Sequence, residues 1–277
     1  MAGALPESVR TRRSAGRGKL GLRAMQAGLP LVLVMLWELL YRVTGEMALS
    51  SPLQTWQALV DGFQRGWLVR GLHETALALG GAYFFTVVLG VWLGVVLGLH
   101  SFSREVFEPL VLSVYSIPKV TLYPVFLLFL GLGLPSKIAF GAFHGIFPVA
   151  IFTMNAVKAI RPAYLKVAAV TGCSRWQTFR HVVVPSVLPS MFTGLRTGFS
   201  LTFLGVILSE MFASRQGAGY LLMQAIGLHN VPRILAVALL LVAVAFIVNA
   251  GFLALETRLR RRYGQRDVEP WSPLHGA

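Results

Sequence analysis

Six windows of this sequence are apolar over about the 20 residues that a helix needs to cross a bilayer core. They are Met25–Val43, Glu74–Leu99, Glu108–Gly131, Lys137–Val157, Val187–Met211 and Arg233–Glu256. The charged residues gather between these windows and make up only 13% of the chain, where a soluble domain carries about a quarter. The expected fold class is an all-α polytopic membrane protein of about six transmembrane helices. The net charge of +14 flanks the windows, so topology and anionic lipid explain it better than nucleic acid. No nucleic-acid-binding module is recognised. The single cysteine, Cys173, excludes an intramolecular disulfide.

An even number of spans puts both termini on one side, and the basic residues choose the side. The N-terminal tail carries Arg10, Arg12, Arg13, Arg17, Lys19 and Arg23, and the second-to-third connector carries Arg104. Stretch 158–184 carries Lys158, Arg161, Lys166, Arg175 and Arg180, and the end carries Arg258, Arg260, Arg261, Arg262 and Arg266. The opposite face carries only Arg42, Arg65, Arg70, Lys137, Arg215 and Arg233. Lys and Arg concentrate on the cytoplasmic side. Both termini are therefore expected in the cytoplasm, and the protein in the inner (cytoplasmic) membrane. The expected organisation is a basic tail over 1–24, a transmembrane domain over 25–256 and a basic tail over 257–277. The first span is expected to be retained, since no small-residue cleavage site follows it before Glu46.

Membrane helices associate through close backbone approach at small residues. Gly90, Gly94 and Gly98, then Gly141 and Gly145, then Gly194 and Gly198 each recur at four-residue spacing. Packing within the bundle is the expected use, with a homodimer seam as the alternative. The third window holds Pro118 and Pro124, each of which removes an amide donor and disturbs a helix. Broken helices at membrane depth are tolerated where they are buried or line a cavity. Pro118, Pro124 and the adjacent Lys119 are thus candidates for a pathway wall, with a kinked packing helix as the alternative.

Stretch 158–184 reads KAIRPAYLKVAAVTGCSRWQTFRHVVV, with five basic residues and no acidic one. Pro162 suits a helix's first turn, and Gly172 suits the left-handed position that closes it. Ser174 and Gln177 form the S-x-x-Q pattern of a capping box. Trp176, Phe179 and Val183 fall on one face of a second helix, which Pro185 is expected to stop. The product is a helix-turn-helix bracket at the cytoplasmic surface. Its aromatic face is expected either to dock a partner or to rest on the bundle or the lipid headgroups.

At these residues the chain resembles the membrane-spanning subunits of ABC-type importers. Their loop motif is E-A-A-x3-G-x9-I-x-L-P, which falls here on Lys166, Val167, Ala168, Gly172, Val182, Val184 and Pro185. With IPKVTLYPVFLLFLGLG upstream, the likeness is to the nitrate/sulfonate/taurine branch. It covers about residues 72–262 and implies the type I importer permease fold. It also implies that loop 158–185 couples to a cytoplasmic ABC ATPase through Lys166, Val167, Ala168, Gly172, Ser174, Arg175, Trp176, Gln177, Phe179 and Pro185. The partners it implies are two ATPase subunits, an external or periplasmic solute-binding protein and a second permease copy, as a homodimer. Lys166 departs from the motif's glutamate and reverses its charge.

The chain has no ATP site of its own. Gly18-Lys19 lacks the earlier P-loop glycine and is followed by Leu20. No cofactor is expected here, ATP and Mg belonging to the partner ATPase, and the chain is expected not to be an enzyme. Intramembrane charges are functional candidates, which selects Lys119, Arg196 and Glu210 for the pathway. Lys119 and Arg196 fit an anion such as a sulfonate, taurine or nitrate; heterocyclic vitamin precursors remain open. For Arg196 the alternative is snorkelling or pairing with a carbonyl. Glu38 and Glu210 also suit an interfacial position. His144 and Asn155 are expected to hydrogen-bond between helices, and Ser214–Pro232 to be a binding-protein surface or a connector. A competing class is an ion-coupled secondary transporter titrating Glu210 or Lys119. A membrane enzyme would have only His73, His100, His144 and Glu74, without metal-site spacing.

Overall fold

The computed structural model describes residues 28–263 apart from Met47. The expected tail at 1–24 and everything beyond 263 lie outside the described residues, and no strand occurs among those described. Among the described residues eleven α-helices follow one another: α1 (residues 28–44), α2 (Pro52–Gln64), α3 (Trp67–Leu99), α4 (Ser101–Ser116), α5 (Tyr123–Leu130), α6 (Leu134–Lys158), α7 (Pro162–Val170), α8 (Arg175–Thr178), α9 (Val184–Ala213), α10 (Ala218–Gly227) and α11 (Val231–Tyr263). Among the described residues four helical stretches are long and apolar enough to cross a membrane: Trp67–Leu99, Leu134–Lys158, Arg175–Ala213 and Val231–Leu259. The pair Phe102–Ser116 and Lys119–Leu130, bent by 86°, is a fifth candidate. Helix α1, at the edge of the described residues, stands where the sequence places the first span. The last helix runs past Glu256 to Tyr263, so the boundary expected at 257 falls inside a helix.

Helices α3, α6 and α9 form the core, and their glycines explain how closely they approach. A Cβ on Gly90, Gly94 or Gly98 would lie 2.7, 2.5 and 2.6 Å from the Cβ atoms of Val149, Thr153 and Val157 on α6. Gly141 and Gly145 face α9 at Val206 and Thr202, while Gly198 and Gly194 face α6 at Val149 and Phe152. All three glycine sets therefore act inside the chain, and bundle packing explains them without a homodimer seam. Polar bonds cross the same core. The hydroxyls of Thr86 and Thr202, both fully buried, are 2.9 Å apart, and the Tyr123 hydroxyl donates to the Ser209 carbonyl at 3.0 Å.

The third window is not one helix. Helix α4 ends at Ser116, Pro118 follows in a non-helical conformation, and a single 3-10 turn over Lys119–Leu122 leads into α5. Pro124 lies in the first turn of α5, where its missing amide has no helical acceptor to leave unpaired. Pro118 thus makes the break, and Pro124 starts the next helix.

Helix α2 lies in a connector that the windows leave blank. Ser51 and Gln54 close a full capping box, with the Ser51 Oγ accepting from the Gln54 amide and the Gln54 Oε1 from the Ser51 amide. The Trp37 indole donates to the Ser50 carbonyl at 3.0 Å and ties α1 to this turn.

Candidate functional site: the cationic bracket and the intramembrane charges

The bracket's first arm, α7, begins with Pro162 in its first turn and ends at Val170. The Cys173 amide donates to the Ala168 carbonyl at 3.0 Å and the Gly172 amide to the Ala169 carbonyl at 3.2 Å. This is a Schellman closure, with Gly172 at φ +72° in the left-handed position. The turn passes directly into the second cap. The Ser174 Oγ accepts from the Gln177 amide at 3.2 Å, and the Gln177 Oε1 accepts from the Ser174 amide at 2.8 Å. Two adjacent motifs hold the tip.

Beyond the tip the structure departs from expectation. Pro185 does not stop the second arm. Helix α8 passes through a π turn at Phe179–Val183 into α9, giving one helix over Arg175–Ala213 of 39 residues, about 58 Å long at 1.5 Å per residue. In a regular α-helix the proline ring would meet the carbonyl four residues back, that of His181. The π turn widens the helix there, and the Val184 amide donates to the Phe179 carbonyl five residues back. The second arm of the bracket and the fifth span are one continuous helix.

The aromatic face is divided along its length. Val183 is buried with Ala156, Val157 and Val187, and Phe179 packs against that cluster. Trp176, stacked on Phe179 with centroids 5.8 Å apart, remains 66% exposed. On α7 Val167 and Val170 are 61% and 88% exposed, whereas Ala168 is buried. Lys166, Gly172, Ser174, Arg175 and Gln177 are exposed, and Pro185 is half-buried. Resting on the bundle thus describes the base of the bracket, and its tip presents an uncovered apolar and cationic surface.

The pathway candidates do not share one site. Lys119 stands in the break after the exposed Pro118; its Nζ donates to the Tyr115 carbonyl at 2.7 Å and lies 4.5 Å from the Tyr115 ring centroid and 5.6 Å from that of Phe147. Pro124 is exposed as well. Arg196 faces α11 instead of a carbonyl, its Nε 3.5 Å from Glu256 Oε2, and the Thr193 hydroxyl donates to the other Glu256 oxygen at 2.7 Å. Glu210 is fully buried. Its contacts join helices. Its Oε2 accepts from the Thr75 hydroxyl at 2.8 Å and the Gly219 amide at 3.0 Å, and its Oε1 lies 3.4 Å from Lys137 Nζ. A carboxylate at the amino end of α10 satisfies helix amides and complements the helix dipole.

Lys137, counted with the cations of the outer face, is only 4% exposed, and its Nζ also donates to the Gln216 carbonyl at 2.8 Å. The signal was available. Lys137 opens the fourth window and Glu210 nearly closes the fifth, so the up-down topology puts both charges at one depth. Segment Ser214–Pro232 contains the packed helix α10, and it borders a cavity of about 600 Å³ lined in part by Glu74, Lys137, Arg215 and Gln216. The His144 Nδ1 pairs with the Phe140 carbonyl of its own helix at 3.0 Å, so its expected interhelical bond is replaced by contact with Gly205. Asn155 is exposed. Glu38 pairs with Arg42 on α1 at 2.9 Å.

A core of glycine-packed apolar helices, a candidate span bent by 86° and a capped polar bracket define a helical membrane protein. Residues 86–262 match the family described as binding-protein-dependent transport system inner membrane component, and the chain belongs to that family. It is 32% identical over 238 residues to the riboflavin transport system permease protein RibX of Chloroflexus aurantiacus, covering 82% of this chain and 87% of that one. It is 25% identical over 267 residues to the taurine transport system permease protein TauC of Escherichia coli, covering 94% and 97%. The inward-facing MetNI methionine ABC transporter shares the fold with a TM-score of 0.63 at 19% identity, covering 71% of this chain and 97% of that one. A bacterial ABC transporter involved in alginate import has the same TM-score at 15% identity, covering 90% and 99%. The protein is thus a multi-pass, non-catalytic permease with the type I ABC importer fold.

Proposed function

We propose that this permease serves an ATP-driven importer, that bracket 158–185 seats it on a cytoplasmic ATPase, and that a small organic anion crosses at its interface with a second copy. The observation that carries this is the unbroken helix from Arg175 to Ala213. A partner that displaces the tip displaces the fifth span with it. ATP and Mg then belong to the ATPase, and a solute-binding protein delivers cargo on the outer side. Both termini lie in the cytoplasm, as the basic residues favour. A switch biased by nucleotide at one end and by loaded binding protein at the other needs such a rigid link.

The anion assignment is supported by Lys119 in the third-span break and by relatives named for taurine, aliphatic sulfonates and nitrate. Relatives named for riboflavin and formylaminopyrimidine set the competing cargo, an aromatic heterocycle. The test is co-purification with the cognate ATPase and solute-stimulated ATP hydrolysis in proteoliposomes. Trp176→Ala is expected to lose most bound ATPase and its stimulation while the permease stays folded. Full retention of both, with uptake driven by a proton or sodium gradient, would make the protein a secondary transporter. Competition by taurine, alkyl sulfonates and nitrate, but not by flavin, is expected for the anion class.

A further inference from the structure

We propose that the surface receiving the bracket is acidic: the ATPase groove presents carboxylates opposite Lys166, and this polarity decides which ATPase the chain accepts. The inference rests on the docking role proposed above.

Helix α7 turns one residue, Ala168, into the protein. Lys166 is two residues away, about 200° around the helix, and so stands on the opposite face. Val170 follows Lys166 by four residues on the same stripe and is 88% exposed. A partner that covers Val170 therefore also covers Lys166. Around this centre Lys158, Arg161, Arg175 and Arg180 are all exposed. No Asp or Glu occurs between Glu108 and Glu210, and none of the four ion pairs among the described residues involves the bracket. The cations thus sit within a stretch, residues 109–209, that contains no carboxylate side chain. Covering them with a neutral or basic surface is unfavourable, and like charges brought together exclude a wrong partner.

Anionic headgroups offer the same charge, but the bracket's shape favours a protein. The Schellman closure at Gly172 and the Ser174–Gln177 box hold Val167, Val170 and Trp176 in a fixed arrangement. A fluid headgroup layer selects charge and not shape. Exposed apolar side chains ringed by charge match the apolar centre and polar rim of a protein interface.

The test measures ATPase dissociation from the full-length permease in nanodiscs of phosphatidylcholine alone or with phosphatidylglycerol. Lys166→Glu is expected to weaken binding about 10-fold in both lipids at low salt, with the difference shrinking at high salt, and Lys166→Met about 3-fold. Unchanged or tighter binding of Lys166→Glu in phosphatidylcholine would overturn the proposal. A loss confined to phosphatidylglycerol discs would assign the cation to lipid and overturn it too. Trp176→Ala separates the two ideas. If that variant keeps its ATPase, docking itself fails; if it loses the ATPase while Lys166→Glu does not, only the charge assignment fails.

Discussion

A Glu210→Gln substitution is expected to destabilise the folded protein by about 3–5 kcal/mol, the usual cost of removing one partner from a buried ion pair. The Lys137 and Glu210 side chains are 5% and 0% exposed, with N and O 3.4 Å apart. At that distance, in an effective dielectric of about 20, the attraction is roughly 5 kcal/mol, opposed by several kcal/mol of desolvation for each ion. The amide keeps an acceptor for Thr75 or Gly219 but cancels the charge. Lys137 then has the Gln216 carbonyl at 2.8 Å and no counter-ion. The amino end of α10 also loses an anion worth about 0.5 kcal/mol. Lys137→Met should cost about 2–3 kcal/mol, because Glu210 still accepts from Thr75 and Gly219. The double variant should recover about 2 kcal/mol of the summed losses. Reversible unfolding by SDS in mixed micelles, run as a double-mutant cycle, reads this coupling. A coupling below about 0.5 kcal/mol would refute the pairing as the element that joins α3, α6, α9 and α10.

Two further substitutions test the packing and the tip. Gly94→Ala places a methyl 2.5 Å from Thr153 Cβ and 2.6 Å from the Ala150 carbonyl, and should cost about 2 kcal/mol by overpacking. Gly80→Ala on the same helix meets nothing within 4 Å and should be neutral or stabilising by up to about 1 kcal/mol; the same unfolding assay compares them. Gly172→Ala meets no steric obstacle but keeps φ at +72°, a strain of about 1 kcal/mol. Hydrogen exchange at the Cys173 amide should therefore quicken about 5-fold while exchange in α9 stays unchanged.

Much of the bracket was legible in the sequence because its devices are local. Pro162, Gly172, Ser174 and Gln177 act on amides within five residues, and each acts as its spacing implies. The role of Pro185 was not legible. Whether a proline stops a helix or begins the next one depends on whether the preceding turn widens, and here that turn continues into α9 where Val183 and Val187 bury against α6. The charged residues show the same division. Lys119, Arg196 and Glu210 stood out as charges inside apolar windows, yet their roles depend on partners 60 to 135 residues away for Arg196 and Glu210, and on a backbone break for Lys119.

By itself the sequence determined that this chain is a helical membrane protein with a capped cationic bracket, because hydropathy, glycine spacing and caps act over one span or one turn. Only the tertiary structure decided that the glycines join helices within the chain, that Lys137 and Glu210 meet in the interior and that the bracket is continuous with the fifth span. Those outcomes depend on which helix faces which, and in lipid that choice is made by close fit and by the pairing of the few polar groups.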